Sequence, residues 1–387
     1  MKKLIAISVI FALVAGVAFA EATLGGQLQI GTNVFSGNLD SGGLRMGGLR
    51  AHEAKIKATF GDGESGGVIV ITSSGDFNPT TPGFHAEGRF SGFLYWRPSE
   101  FFRIQVGQNN DGDYGAARIS GWGFTGEAKN SVGAYNDWNP GGLTMAANRS
   151  HAFYAGTGSW NNLNMSFFPM HGLTVNLIFP FTSGWSARAY DAVLADINLN
   201  VVYNIEDLGI VTVSFAGRDE NENRGGGLAD GNNNGLGTLY ASFYLMAIDG
   251  MGLDLGLMFN LPGQNGRTSG LAIGAGFTFA ADALNVKVRA GAKFGSTNDA
   301  GVGDGLTTIS LGVLPSFKLD NITAFLHAGL GMRLSDASGV DPVMDWFINP
   351  YMTMPAGNLR LYAGIQLYKH GSGPVTYAVP FGFNIYF

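Results

Sequence analysis

Residues 374–387 read PVTYAVPFGFNIYF, and their spacing decides the fold. Val375, Tyr377, Val379, Phe381, Phe383, Ile385 and Phe387 alternate with Thr376, Ala378, Gly382, Asn384 and Tyr386. A period of two places seven apolar side chains on one face of an extended strand. Chain ends in water are ordinarily frayed and polar, so an aromatic face carried to Phe387 calls for an apolar surrounding.

The same period returns along the chain. LGGQLQIGTNVF (24–35) sets Leu24, Leu28, Ile30 and Val34 against Gln27, Gln29 and Asn33. EAKIKATF (53–60), DAVLADINLNVVY (191–203), LNVKVRAGAKF (284–294) and GNLRLYAGIQL (357–367) repeat it, each with one apolar face and one polar or glycine-rich face. Connectors alternate short and long. Arg97–Glu100, Met170–Gly172, Ile205–Gly209, Ala247–Gly250, Ala280–Ala283, Lys318–Asn321 and Met354–Gly357 are short; GRDENENRGGGLADGNNNG (217–235) and GSTNDAGVGDG (295–305) are long. That rhythm predicts an all-β, antiparallel up-and-down meander of about 18 strands, with 16–20 allowed. An even count puts both termini on the short-turn side. Residues 110–160 are the longest connector and read as one functional loop; the other reading is a further hairpin.

The first residues, MKKLIAISVIFALVAGVAFA, carry Lys2 and Lys3, an apolar run from Leu4 to Val17 and the small-residue exit Ala18-Phe19-Ala20. Residues 1–20 therefore read as a secretory signal peptide, too short for a spanning helix, leaving 21–387 as the barrel. Cleavage leaves 21 basic against 29 acidic residues, a net of −8, which argues against a nucleic-acid partner. With no Cys, disulfides, thiolate chemistry and a lipidated cysteine are excluded.

The chain has 60 Gly among 387 residues, 12% aromatics and only 13% charged residues, against roughly 25% in soluble domains. No stretch after the signal reaches the length of a spanning helix, so the apolar content must act through strands. Half-apolar strands near ten residues long fit a tilted crossing of hydrocarbon, where every backbone polar group must be paired and the sheet must close. Aromatics on the apolar face support this. Phe60, Trp96, Phe102, Phe167, Tyr203, Phe279, Phe317 and Phe387 fall beside the short turns, and Phe181, Phe215, Phe259 and Phe294 at the opposite strand ends, as two interfacial girdles require.

The signal peptide, the meander and a last strand with Val379, Phe381, Phe383, Ile385 and Phe387 at every second position resemble Gram-negative outer-membrane porins. The resemblance implies a closed transmembrane β-barrel in the outer membrane. It also implies that Phe381, Phe383, Ile385 and Phe387 act as an insertion signal read by the barrel-assembly machinery. Pro380 departs from the pattern, because it removes a ladder donor from a strand that should pair on both sides.

A barrel of this size leaves an aqueous channel, so passive diffusion of small hydrophilic solutes is the expected function, with lipid and solute as partners; a homotrimer is compatible with the resemblance. Porins fold a long early loop into the lumen, which assigns the constriction to 110–160 and its charges Asp111, Asp113, Arg118, Glu127, Lys129, Asp137 and Arg149; a solvated surface lid is the alternative. Polar registers carry Lys55, Lys57, Arg89, Arg103, Lys287, Arg289, Lys293, Arg333 and Arg360 against Glu53, Glu87, Asp196 and Asp254. That wall favours anions and resembles the basic wall of substrate-selective 18-strand channels; pairing with loop acids is the competing reading. No enzyme, metal or cofactor is expected. The six His are scattered, and in DGNNNG (230–235) the closing Glu of a calcium loop is replaced by Ala241. An adhesive or structural barrel acting through its loops is the alternative function.

Overall fold

A computed structural model describes residues 23–39, 44–45, 50–77, 84–108, 161–180, 197–217, 237–261, 270–296, 306–334 and 341–387. Among them all regular structure is strand, in one antiparallel sheet. The order is β1 (Thr23–Asn38), a two-residue β2 (Leu44–Arg45), β3 (Arg50–Gly61), β4 (Ser65–Phe77), β5 (Phe84–Ser99), β6 (Phe102–Gln108), β7 (Asn161–Met170) and β8 (Leu173–Pro180). There follow β9 (Asn198–Ile205), β10 (Gly209–Gly217), β11 (Gly237–Leu245), β12 (Met251–Leu261), β13 (Gly270–Ala281) and β14 (Leu284–Ser296). The wall ends with β15 (Leu306–Leu319), β16 (Ile322–Leu334), β17 (Val343–Ala356), β18 (Leu359–Gly364), β19 (Gln366–His370) and β20 (Val375–Tyr386).

These twenty elements make eighteen staves. β2 is a spur on β1, and β18 and β19 continue one stave between β17 and β20, broken only at Ile365. Each stave pairs with its sequence neighbour, and β1 pairs with both β3 and β20, so the sheet closes. β6 pairs directly with β7, so the wall contains no extra stave between them. Closure removes the unpaired edges that hydrocarbon would penalise.

Burial is inverted relative to a water-soluble protein. On the outer face Leu24 is 68% exposed, Leu94 60% and Leu311 50%, while on the inner face Asn164, Asn200 and Asn384 are 0–1% exposed. Apolar side chains can stand outward only against lipid, so this is a transmembrane barrel. Trp96, Phe167, Phe317 and Phe387 are exposed at the short-turn end, and Phe259 and Phe294 at the other, as the girdle pattern predicted. Phe181 and residues 1–20, read as a signal peptide, lie outside the described residues.

Six short turns owe their tightness to a left-handed residue: Asp207, Asp282, Asp320, Gly172, Gly250 and Gly357 all have φ between 44° and 76°. Asp and Gly are among the residues that reach this region at least cost. The turn between β3 and β4 uses a side chain as well, for Asp62 Oδ1 accepts from the Glu64 and Ser65 amides at 3.0 and 2.8 Å. Those amides hold the Asp62 carboxyl below its usual range. A lowered folded pKa means the turn's stabilisation is present above the ordinary carboxylate pKa and is lost as pH falls through Asp62's own value. Asp62→Asn should abolish that low-pH step, read as amide exchange of Glu64 and Ser65 against pH.

Glycine makes room for rings on the inner wall. A Cβ at Gly329 would collide with the Phe347 ring, and one at Gly252 would press the Tyr244 hydroxyl at 3.1 Å. The seam absorbs Pro380. Its register partner on β1 is Asn33, and the ladder slips between Asn33 and Phe35, so a bulge meets the missing donor. The neighbouring stave breaks at the same level, at Ile365. Beyond it the seam is regular to the end, where Phe387 and Gly26 exchange backbone bonds of 2.6 and 3.1 Å.

Candidate functional site

The inner wall is the surface that a polar solute crossing a lipid-embedded barrel meets, and its residues follow from the strand period. Register places Lys57, Arg103, Lys287 and Arg360 in rows with inward residues, and the side chains of Lys55, Arg89, Arg289, Lys293 and Arg333 lie outside those described. Lys57 stands opposite Val70, Arg103 opposite Ser166, Lys287 opposite Leu314 and Arg360 opposite Asn384. Lys55 pairs with Gln27, Arg89 with Thr72, Arg289 with Gly276, Lys293 with Ala272 and Arg333 with Thr308. Arg103 is half-buried and lies 5.9 Å from the centre of the Phe168 ring; Arg360 is exposed and lies 5.8 Å from that of Tyr386. Each guanidinium is thereby fixed against a ring face, a geometry that suits a planar cation.

Beside Arg103 runs a ladder of neutral polar groups. Asn164 Nδ2 donates to Ser166 Oγ (3.3 Å), Ser166 Oγ to Asn176 Oδ1 (2.7 Å), Asn176 Nδ2 to Asn200 Oδ1 (3.1 Å) and Asn200 Nδ2 to Ser214 Oγ (2.7 Å). Ser166, Asn176, Asn200 and Ser214 are register partners on β7, β8, β9 and β10, so the chain of bonds runs circumferentially, with Arg103 on β6 next in the row. Buried amides and hydroxyls must find partners, and here they find one another. Asn176→Ala removes an acceptor and a donor at once and should destabilise the barrel by about 1–3 kcal/mol, measured by urea unfolding from vesicles.

The opposite arc of the wall has another chemistry. Nine staves away in an eighteen-stave circle, Phe325 stacks on Tyr351 (centroids 4.5 Å) and Phe347 meets His327 edge-on at 4.6 Å. Buried Tyr362 and Asn349 belong to the same arc. Among the described residues, Arg103 Nε, Gln105 Nε2, Asn164 Oδ1, Asn349 Oδ1, Gln366 Oε1 and Asn384 Oδ1 are buried inner-wall atoms without a protein hydrogen-bond partner.

Sequence reasoning missed two wall cations, Arg97 and Lys318, because each begins a segment that reads as a short connector. Arg97 is 5.1 Å from the other contact of Arg103, the Phe168 ring, and Lys318 pairs with Thr323. Their register parity was the available signal. Asp111, Asp113, Arg118, Glu127, Lys129, Asp137 and Arg149, and with them the DGNNNG segment, lie outside the described residues. No group of acids and histidines fit to hold a metal occurs among the described residues.

No protein-family model and no curated protein sequence matches the chain. Solved structures do. OccK1 (OpdK) of Pseudomonas aeruginosa superposes with a TM-score of 0.60 at 9% identity, covering 96% of this chain and 99% of that one. OpdK of the same organism, solved with vanillate, gives 0.59 at 10% identity over 96% and 99%. OccAB4 of Acinetobacter baumannii gives 0.58 at 9% identity over 95% and 98%. The fold is that of outer-membrane β-barrel channels. An apolar outer band and a closed wall of this type place the chain in an outer membrane.

Proposed function

We propose that this protein is a porin, an open channel for passive diffusion of small hydrophilic solutes, and that it favours anions. The observation that carries the reading is the inner wall, where Lys57, Arg103, Lys287 and Arg360 share inward registers with neutral Asn, Ser and Thr while the outer face is apolar. Fixed cations on a low-dielectric wall raise the local concentration of anions and speed their entry. The likeness to a channel solved with vanillate is in keeping with a small anionic solute. Segment 110–160 is proposed as the constriction, with Asp111, Asp113, Arg118, Glu127, Lys129, Asp137 and Arg149 as its charges. Residues Phe381, Phe383, Ile385 and Phe387 are proposed as the signal recognised during assembly.

Planar-bilayer recording tests the channel. Stable open steps, with a reversal potential of anion sign in a KCl gradient, are expected. Absence of conductance at every voltage would sink the channel, whereas a cation-signed potential would overturn only the preference. Deleting residues 110–160 should raise the single-channel conductance if they narrow the lumen.

A further inference from the structure

The eight short turns that form one mouth of the barrel hold Asp62, Glu64, Glu100, Glu206, Asp207, Asp249, Asp282 and Asp320, and no Lys or Arg. All eight carboxylates are exposed. Immediately inside this mouth the sign reverses. Lys57, Arg97, Arg103, Lys287, Lys318 and Arg360 all occupy inward registers within five residues of a short turn, on β3, β5, β6, β14, β15 and β18. At about 3.3 Å per strand residue the whole belt lies within ~17 Å of the rim. Asp254 is the one acid at that level among the described residues, and it is buried.

Neighbouring opposite charges commonly neutralise each other, but here Arg97, Arg103, Lys318 and Arg360 are held apart from the rim carboxylates. Arg97 donates its Nη2 to the Glu100 backbone carbonyl (3.0 Å) rather than to the carboxylate, and its guanidinium and that of Arg103 lie over Phe168. Among the described residues no ion pair joins a rim carboxylate to Arg97, Arg103, Lys318 or Arg360. Asp207, Asp282 and Asp320 are held at positive φ, which fixes their place in the turn.

We infer that the acidic rim and the basic belt act in series as a rectifying junction, so that the channel passes ions unequally in the two directions. This rests on the channel reading above. A carboxylate ring admits cations and a belt of Lys and Arg admits anions. With the short-turn side positive, cations enter through the rim while anions arrive through the belt. Both accumulate at the junction and the current is high. With the opposite polarity both are withdrawn and the current falls. The effect needs charge fields that reach into the mouth, which holds at 0.1 M salt with a Debye length of about 10 Å and fails at 1 M with about 3 Å.

The test is single-channel recording of the full-length protein in symmetric KCl. Because the chain has no Cys, Asn358→Cys in the last short turn reports orientation when a charged, membrane-impermeant thiol reagent is added to one chamber. In 0.1 M KCl the current with the short-turn side positive should exceed the reverse current by on the order of twofold, a small part of the tenfold or greater ion enrichment that focused surface charge produces. In 1 M KCl the two currents should be equal. A variant carrying E64Q, E100Q, E206Q, D207N, D249N, D282N and D320N, with the turn-forming Asp62 kept, should be linear at both salts. If that variant does not assemble, the wild type at 0.1 M gives the same answer. Open channels with linear currents at 0.1 M overturn the inference and leave the channel reading intact, as does asymmetry that survives the seven-residue variant. Absence of any conductance overturns both.

Discussion

Leu257→Arg is expected to destabilise the folded barrel by about 2–4 kcal/mol, the cost of a cation on the lipid face near the bilayer midplane. Leu257 lies in the middle of β12, opposite Ala241 and Ile273, and is 46% exposed on the outer face. In a soluble protein such exposure would make the position permissive. Here the surrounding medium is hydrocarbon, and the guanidinium loses its hydration with no partner in return. An Arg at Thr353, which is on the inner face in register with Thr323, should cost far less, since Arg103 and Arg360 already live on that face. Urea titration of protein refolded into vesicles, followed by gel mobility with and without heating, measures both. Equal costs at the two positions would contradict the assignment of faces.

Removing Phe381–Phe387 is expected to abolish the folded barrel altogether. Those residues supply five register pairs to β18, from Leu359–Ile385 to Ala363–Phe381, and the lower half of the β1 seam. Their loss opens two edges inside hydrocarbon, where each unsatisfied backbone group costs several kcal/mol, more in sum than a domain's whole stability. Refolding in detergent should yield no heat-modifiable species. Phe387→Ala separates this from recognition during assembly, because the Phe387–Gly26 backbone bonds do not need the ring. That variant should refold in vitro and accumulate poorly in the outer membrane if the terminal aromatic is read as a signal; normal accumulation would remove Phe387 from the signal.

The wall was legible in the sequence wherever a strand alternated cleanly. The strand read from Leu284 in LNVKVRAGAKF begins at that residue in the structure, because a two-residue turn with Asp282 leaves no latitude in register. Stave number was legible too, once β18 and β19 are taken as one. Arg97 and Lys318 were less legible, since a charged residue one or two positions from a turn has the same local signature whether it belongs to the turn or to the strand.

Pro380 shows what alternation does not carry. By itself it argued for a flaw in the seam; the compensating bulge lies on β1, more than 340 residues earlier in the chain, and no local pattern announces it. The Ser166–Asn176–Asn200–Ser214 ladder is similar, for each residue is an ordinary inward polar residue, and only the register of four staves brings the four into one row. The alternating acid turns and basic strand ends were all present in the sequence, but their arrangement as two stacked rings depends on closure. Face, period and membrane were thus determined by the chain alone, because side-chain direction in a strand is local geometry. Rows, rings and the meeting of the two ends were decided only by the closed barrel, because they depend on how far each stave is shifted against the next.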